Sequence, residues 1–166
     1  LSTNLKSDYP GYVRVGTLSK TLGALGGWVA GSRDLIDLLV NRARTFIFTT
    51  ALTPADAASG CAALRIYRSE EGDRLRAQLR SYVESIRPNH PSPIIPIIMG
   101  AEAAAIQAST TLFERGLYVP AIRPPTVPVG TSRLRVALSA AHTSEMIATL
   151  KEALASISHL REGDSQ

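Results

Sequence analysis

The residues best suited to chemistry lie in the run Gly16-Thr17-Leu18-Ser19-Lys20-Thr21-Leu22-Gly23, followed by Gly26-Gly27. A lysine on a loop of small residues, directly after a strand, is placed to face a ligand at the strand's carboxyl end. Such an amine forms a Schiff base when partly neutral, which a site shielded from water or close to other cations favours. Thr17 stands three residues upstream. In one turn-like geometry its hydroxyl and the Lys20 amine serve the same cofactor, one holding a phosphate and the other its aldehyde. The glycines let the backbone approach and donate N–H groups to an anion. From the local pattern alone, an exposed loop lysine is the simpler reading. A P-loop is excluded, because the glycine spacing and the Gly-Lys-Ser/Thr ending are absent.

The second informative stretch is SRLRVALSAAHT. On a strand, Arg133 and Arg135 share one face, because side chains alternate with period two. A guanidinium fork can hold both oxygens of a carboxylate. An anion site at a strand end and a solvent-facing edge both satisfy this pattern. Before it lies AIRPPTVPVG, in which Pro124, Pro125 and Pro128 force a stiff, extended corner able to line a pocket. Thr126 is the candidate substrate-lining residue there. His142 follows the strand near a helix start and reads as structural.

These groups need a framework of alternating strands and helices. Tyr12–Leu18 and Gly27–Ala30 have strand character on either side of the lysine loop. A helix is expected over Arg33–Thr45, and Phe46–Thr50 (FIFTT) reads as extended. Thr53-Pro54 supplies an N-cap and a first-turn proline for a helix to about Arg87, with a break near Glu71-Gly72. The prolines of RPNHPSP (Arg87–Pro93) mark the expected domain boundary. Beyond them come a strand at Ile94–Met99, a helix at Ala101–Arg115 and a strand at Leu117–Ile122. A strand at Arg133–Ser139 and a helix at Ser144–Ile157 follow, the last with Ile147, Leu150, Leu154 and Ile157 at helical spacing.

Composition narrows the class. An apolar content of 45% in 166 residues is enough for one ordinary core or two small ones. Half of the net charge of +4 lies in Arg65–Arg87, where acidic residues are interleaved, so a solvated helix face is expected and no nucleic-acid groove. Aromatic residues make up only 5%, too few for base-stacking platforms. The most apolar short run, Ile94–Met99, is interrupted by Pro96, so no membrane span is expected, and a cytoplasmic protein is the default. Cys61, the single cysteine, is expected to be a buried thiol. No metal-ligand pattern is present. The chain starts without an initiator methionine, as a fragment or processed product does.

TLSKTLGALGGWVAGS resembles the lysine segment of the α-oxoamine synthases, pyridoxal-phosphate (PLP) enzymes of the aspartate-aminotransferase fold. The resemblance runs from about Val13 to Ile157, and what it implies is specific. Lys20 would be the cofactor-binding lysine and Thr17 a ligand of the cofactor phosphate. The pair Thr49 and Thr50 in FIFTTALTP would reach the phosphate of the neighbouring subunit's cofactor, Thr50 foremost, which makes a homodimer part of the active site. Arg135 would bind the carboxylate of the amino-acid substrate; the role of Arg133 is open. IRPPTVP followed by GTSRLR and AAHT resembles one branch more than its relatives. That branch joins L-alanine to a pimeloyl thioester, pimeloyl-CoA or pimeloyl-ACP, with decarboxylation to 8-amino-7-oxononanoate in biotin biosynthesis. Other branches, making aminolevulinate, aminoketobutyrate or sphingoid bases, are the alternative, as is a non-catalytic dimerisation remnant.

The implied fold is α/β, the C-terminal half of a fold-type-I enzyme: the end of the large-domain sheet plus a small α+β domain. Residues 1–70 would belong to the large domain, 71–92 to a connecting helix and linker, 93–160 to the small domain and 161–166 to a frayed tail. Arg80–Ser92 is shorter than its family counterpart. The family's N-terminal half supplies an aspartate to the pyridine nitrogen and a stacking histidine, so these 166 residues alone are expected to be inactive.

Overall fold

The computed structural model describes residues 12–160; the expected tail at 161–166 lies outside the described residues. The chain divides into two compact units, Leu1–Gly72 and Asp73–Gln166.

In the first unit, β1 (Arg14–Thr17) and β2 (Gly27–Ala30) form an antiparallel hairpin running from Arg14 opposite Ala30 to Thr17 opposite Gly27. Gly16 faces Trp28, and a Cβ there would lie 2.5 Å from the indole Cε2, so the ring crosses the hairpin only over glycine. Three helices follow: α1 (Arg33–Arg42), the single turn α2 (Arg44–Ile47) and α3 (Pro54–Tyr67). Their starts follow from local chemistry. Ser32 caps α1, with Asp34 in the first turn and Arg42 in the last, complementing the helix dipole. Thr53 caps α3 by accepting the Asp56 N–H at 3.1 Å, ahead of Pro54.

Three expectations are corrected here. FIFTT is not extended: Arg44–Ile47 is helical, because Ala43 O accepts both the Phe46 and the Ile47 N–H, and the Thr49 hydroxyl donates to Thr45 O. A β-branched, aromatic run becomes strand only where a neighbouring strand takes its backbone groups. Among the described residues none pairs with it, and a local turn satisfies them instead. The break in the long helix falls at Arg68–Ser69, before the expected Glu71-Gly72, where the Ser69 Oγ accepts the Gly72 N–H and starts α4 (Glu70–Ile86). Cys61 is exposed, since the buried position of α3 is its neighbour Gly60.

The second unit begins within α4 and contains β3 (Ile94–Gly100), α5 (Glu102–Glu114), β4 (Ala121–Ile122), β5 (Ser132–Ala137) and α6 (Ser144–Ser156). The strands form one antiparallel sheet in the order β3-β5-β4. Pro96 is tolerated because β3 is an edge strand. The expected strand Leu117–Ile122 shrinks to Ala121–Ile122, since Pro120 has no N–H to donate and Val119 O accepts the Ser109 hydroxyl. Ser132, Leu134 and Val136 point to the buried face of β5. There Leu134 and Val136 join Ile95 and Met99 of β3, Leu112 of α5, Ile147 and Leu150 of α6 and Val83 of α4 in one core. Fully burying such a side chain contributes about 1.5–3 kcal/mol. Thr143 caps α6 by accepting the Met146 N–H. The charged face of α4 is solvated as expected, with Arg76 paired to Asp73 and Arg80 to Glu84.

Candidate functional site

Lys20 sits in the loop of the β1–β2 hairpin, and backbone bonds give that loop a defined shape. The Leu18 N–H donates to Gly26 O at 2.9 Å and the Ala24 N–H to Leu18 O at 3.1 Å. The Gly23 N–H donates to Lys20 O at 3.1 Å, closing a turn in which Gly23 takes a φ of +58°. Lys20 therefore opens a tight turn, and its side chain is exposed. The loop is anchored from below: Ala24 is 5% exposed and lies with Leu18 against Gly60 of α3. Gly26, with a φ of +126°, lies under Leu52, whose Cδ1 would be 2.8 Å from any Cβ added there. The segment leaving α2 thus runs past the end of the lysine loop.

Thr17 ends β1 with its side chain exposed, on the same loop as Lys20. Thr49 and Thr50 are also exposed. They differ in one respect: the Thr49 hydroxyl donates to Thr45 O, whereas the Thr50 hydroxyl makes no such bond to a described residue.

The second unit holds its own cavity of about 520 Å³ on the outer face of the sheet. Arg133 and Arg135 project into it from β5, and Thr126 closes one side from the proline corner. The alternation of β5 explains the placement, because Ser132, Leu134 and Val136 take the opposite face. Arg135 stands opposite Pro96 and Arg133 opposite Ile98, on β3. The Arg133 Nε donates to Thr131 O at 2.9 Å, which fixes its stem. The Arg135 guanidinium is exposed and makes no hydrogen bond or ion pair with another described residue.

Sequence reasoning missed the rim supplied by RPNHPSP. His90 and Ser92 line the cavity where a linker was expected, beside Ile94 and Pro96 of β3. This corner is bonded throughout. Asn89 adopts a φ of +59° and donates its N–H to the Glu84 carboxylate, the His90 ring reaches Ile94 O at 3.0 Å, and Arg80 donates to His90 O. The one signal in the sequence was Asn89, a residue type that tolerates the left-handed conformation. His142 is held locally: its Nδ1 accepts the Ser139 N–H and its carbonyl accepts the Tyr82 hydroxyl at 3.0 Å.

The available groups fit a phosphorylated aldehyde. An exposed primary amine and an exposed hydroxyl share one glycine-containing loop, and Gly23 leaves open space where a Cβ would stand. Among the described residues no cluster of His, Cys, Asp and Glu could hold a metal ion. No described helix is long and apolar enough to cross a membrane.

Comparison with known proteins gives this arrangement a family. A family model described as aminotransferase class I and II matches residues 4–154. The chain is 50% identical over 151 residues to an 8-amino-7-oxononanoate synthase of Methylococcus capsulatus, a match covering 86% of this chain and 39% of that protein. A counterpart from Anaeromyxobacter dehalogenans is 48% identical over 153 residues, covering 87% and 38%. The chain thus spans 38–39% of the length of these curated relatives. Among solved structures, an SPT with PLP matches at a TM-score of 0.80 and 26% identity, covering 89% of this chain and 39% of that one. The 8-amino-7-oxononanoate synthase from Francisella tularensis matches at 0.72 and 25% identity, covering 89% and 44%. With its lysine hairpin, its arginine strand and a family match along most of its length, the chain belongs to the aminotransferase class I and II family.

Proposed function

We propose that this chain is part of a PLP-dependent C-acyltransferase of the 8-amino-7-oxononanoate synthase type. It would condense L-alanine with pimeloyl-CoA or pimeloyl-ACP, with loss of carbon dioxide, in biotin biosynthesis in the cytoplasm. The observation that carries this reading is the 50% identity over 151 residues to a protein of that name. Serine palmitoyltransferase is the second reading, favoured by the TM-score of 0.80 to an SPT but opposed by its 26% identity.

When bound, PLP supplies an electron sink that stabilises negative charge at the amino-acid Cα. Lys20 Nζ would hold the cofactor aldehyde and act as the base at the alanine Cα. The Thr17 hydroxyl would hydrogen-bond the cofactor phosphate. Thr50, with Thr49 in support, would reach the phosphate bound by the neighbouring subunit, which requires a homodimer. The Arg135 guanidinium would clasp the alanine carboxylate until it leaves as carbon dioxide, and Thr126 would line the substrate pocket. The matched relatives extend well beyond the span of this chain, so residues 1–166 by themselves are expected to turn over little or no substrate.

Borohydride reduction of the intact protein with PLP, followed by peptide mapping, tests the anchor. A pyridoxyl group on Lys20 is expected, and its absence there removes the basis of the proposal. Offering glycine, alanine and serine in turn separates the branches, because only alanine should support condensation with a pimeloyl thioester.

A further inference from the structure

The cavity on the outer face of β5 holds two guanidiniums, and the amino-acid carboxylate accounts for one. At a rise of about 3.4 Å per residue, the Arg133 and Arg135 stems leave the strand about 7 Å apart, so each fork can hold a carboxylate of its own. No acidic side chain lines the cavity to neutralise them. Arg133 is half-buried, and with its Nε donated to Thr131 O its terminal nitrogens remain for an anion. The wall around the two cations is mostly apolar, with Ile94, Pro96 and Ile122 beside the polar His90, Ser92 and Thr126. Two separated cations joined by an apolar wall match two carboxylates joined by an alkyl chain.

Building on the function proposed above, we propose that Arg133 is a specificity residue that binds the terminal carboxylate of the acyl donor, while Arg135 holds that of alanine. The acyl chain lies along the apolar wall. An alkyl-linked carboxylate fits this wall better than a nucleotide phosphate of the carrier does, since no Phe, Tyr or Trp lines the cavity to stack a base, and the one ring there, His90, is already bonded to Ile94 O.

The test uses the intact, PLP-loaded protein and two thioesters of equal carbon count: pimeloyl-CoA, and heptanoyl-CoA, which ends in a methyl group. Wild type should prefer pimeloyl-CoA. R133Q should lose roughly 10- to 100-fold in kcat/KM for pimeloyl-CoA, mainly through KM, with heptanoyl-CoA and the KM for alanine unchanged. R133K should recover part of the loss. Free pimelate should raise the melting temperature of wild type and not of R133Q, whereas heptanoate should raise neither. Equal losses on both thioesters would assign Arg133 to the CoA phosphates or to folding, and a loss confined to the KM for alanine would make it an accessory of Arg135; either overturns the inference. If wild type turns over neither thioester with alanine, and pimeloyl-ACP no better, the parent reading fails instead. The pimelate shift then judges Arg133 on its own: its loss in R133Q supports a dicarboxylate site, and its persistence overturns one.

Discussion

Phe48, beside the candidate phosphate threonines, is 76% exposed, while Leu134, between the two arginines of β5, is 0% exposed. The contrast extends to the units that hold them. Among the described residues, every buried apolar side chain apart from Ala24 lies in the unit 73–166, which builds a continuous core from a sheet and three helices. The unit 1–72 leaves Val15, Trp28, Phe46 and Leu64 largely open and is shaped by helix caps and backbone hydrogen bonds. The arginine strand therefore stands on self-sufficient packing, whereas the lysine hairpin has local geometry but little burial beneath it.

Changes in each unit sharpen this comparison. The largest effect is expected from Lys20→Ala in the intact protein: kcat should fall on the order of 10³-fold or more, with loss of the borohydride-trapped label and an unchanged circular-dichroism spectrum. Retained activity would remove the lysine from the chemistry. Next in size, Leu134→Ala should destabilise by about 2–5 kcal/mol in a urea melt of this chain. Phe48→Ala should stay within about 0.5 kcal/mol; comparable losses from both would erase the distinction between the units. Gly26→Ala places a Cβ against Leu52 at a φ of +126° and should cost about 1–3 kcal/mol, read as a lower melting temperature and weaker PLP retention. The smallest change is a gain. The Ser132 Oγ is buried without a hydrogen-bond partner among the described residues, so Ser132→Ala should stabilise the second unit by about 1 kcal/mol. A loss of stability instead would reveal a partner for that hydroxyl.

Where structure is set by neighbours in sequence, it was readable in advance. Thr53-Pro54 and Thr143 start helices through bonds to residues three positions on, and Ile147, Leu150, Leu154 and Ile157 share a face because of helical pitch. The shared face of Arg133 and Arg135 follows in the same way from strand alternation. Structure that depends on distant pairing was not readable. FIFTT has strand composition but no strand beside it, so a helical turn takes its backbone groups. RPNHPSP has linker composition, yet the pairing of β3 with β5 brings its far end against the arginines, and Arg80, Glu84 and Asn89 bond it into place. The places of His90 and Ser92 on the cavity rim were hidden for that reason. Thr17 and Lys20 were assigned to one loop by their separation in sequence, but the bonds that shape it, from Leu18 to Gly26 and from Gly23 to Lys20, depend on the register of the hairpin.

The position of β5 between β3 and β4 has a consequence for how finely a ligand can be measured. Arg133 has a pairing neighbour on each side, and Arg135 is tied to the flanking chain through its own N–H and Pro120 O. Neither Cα can slide without breaking a ladder. A dianion spanning the two forks meets a gauge whose graduations are cut into the sheet itself, and only side-chain torsions are left to absorb a molecule of the wrong length.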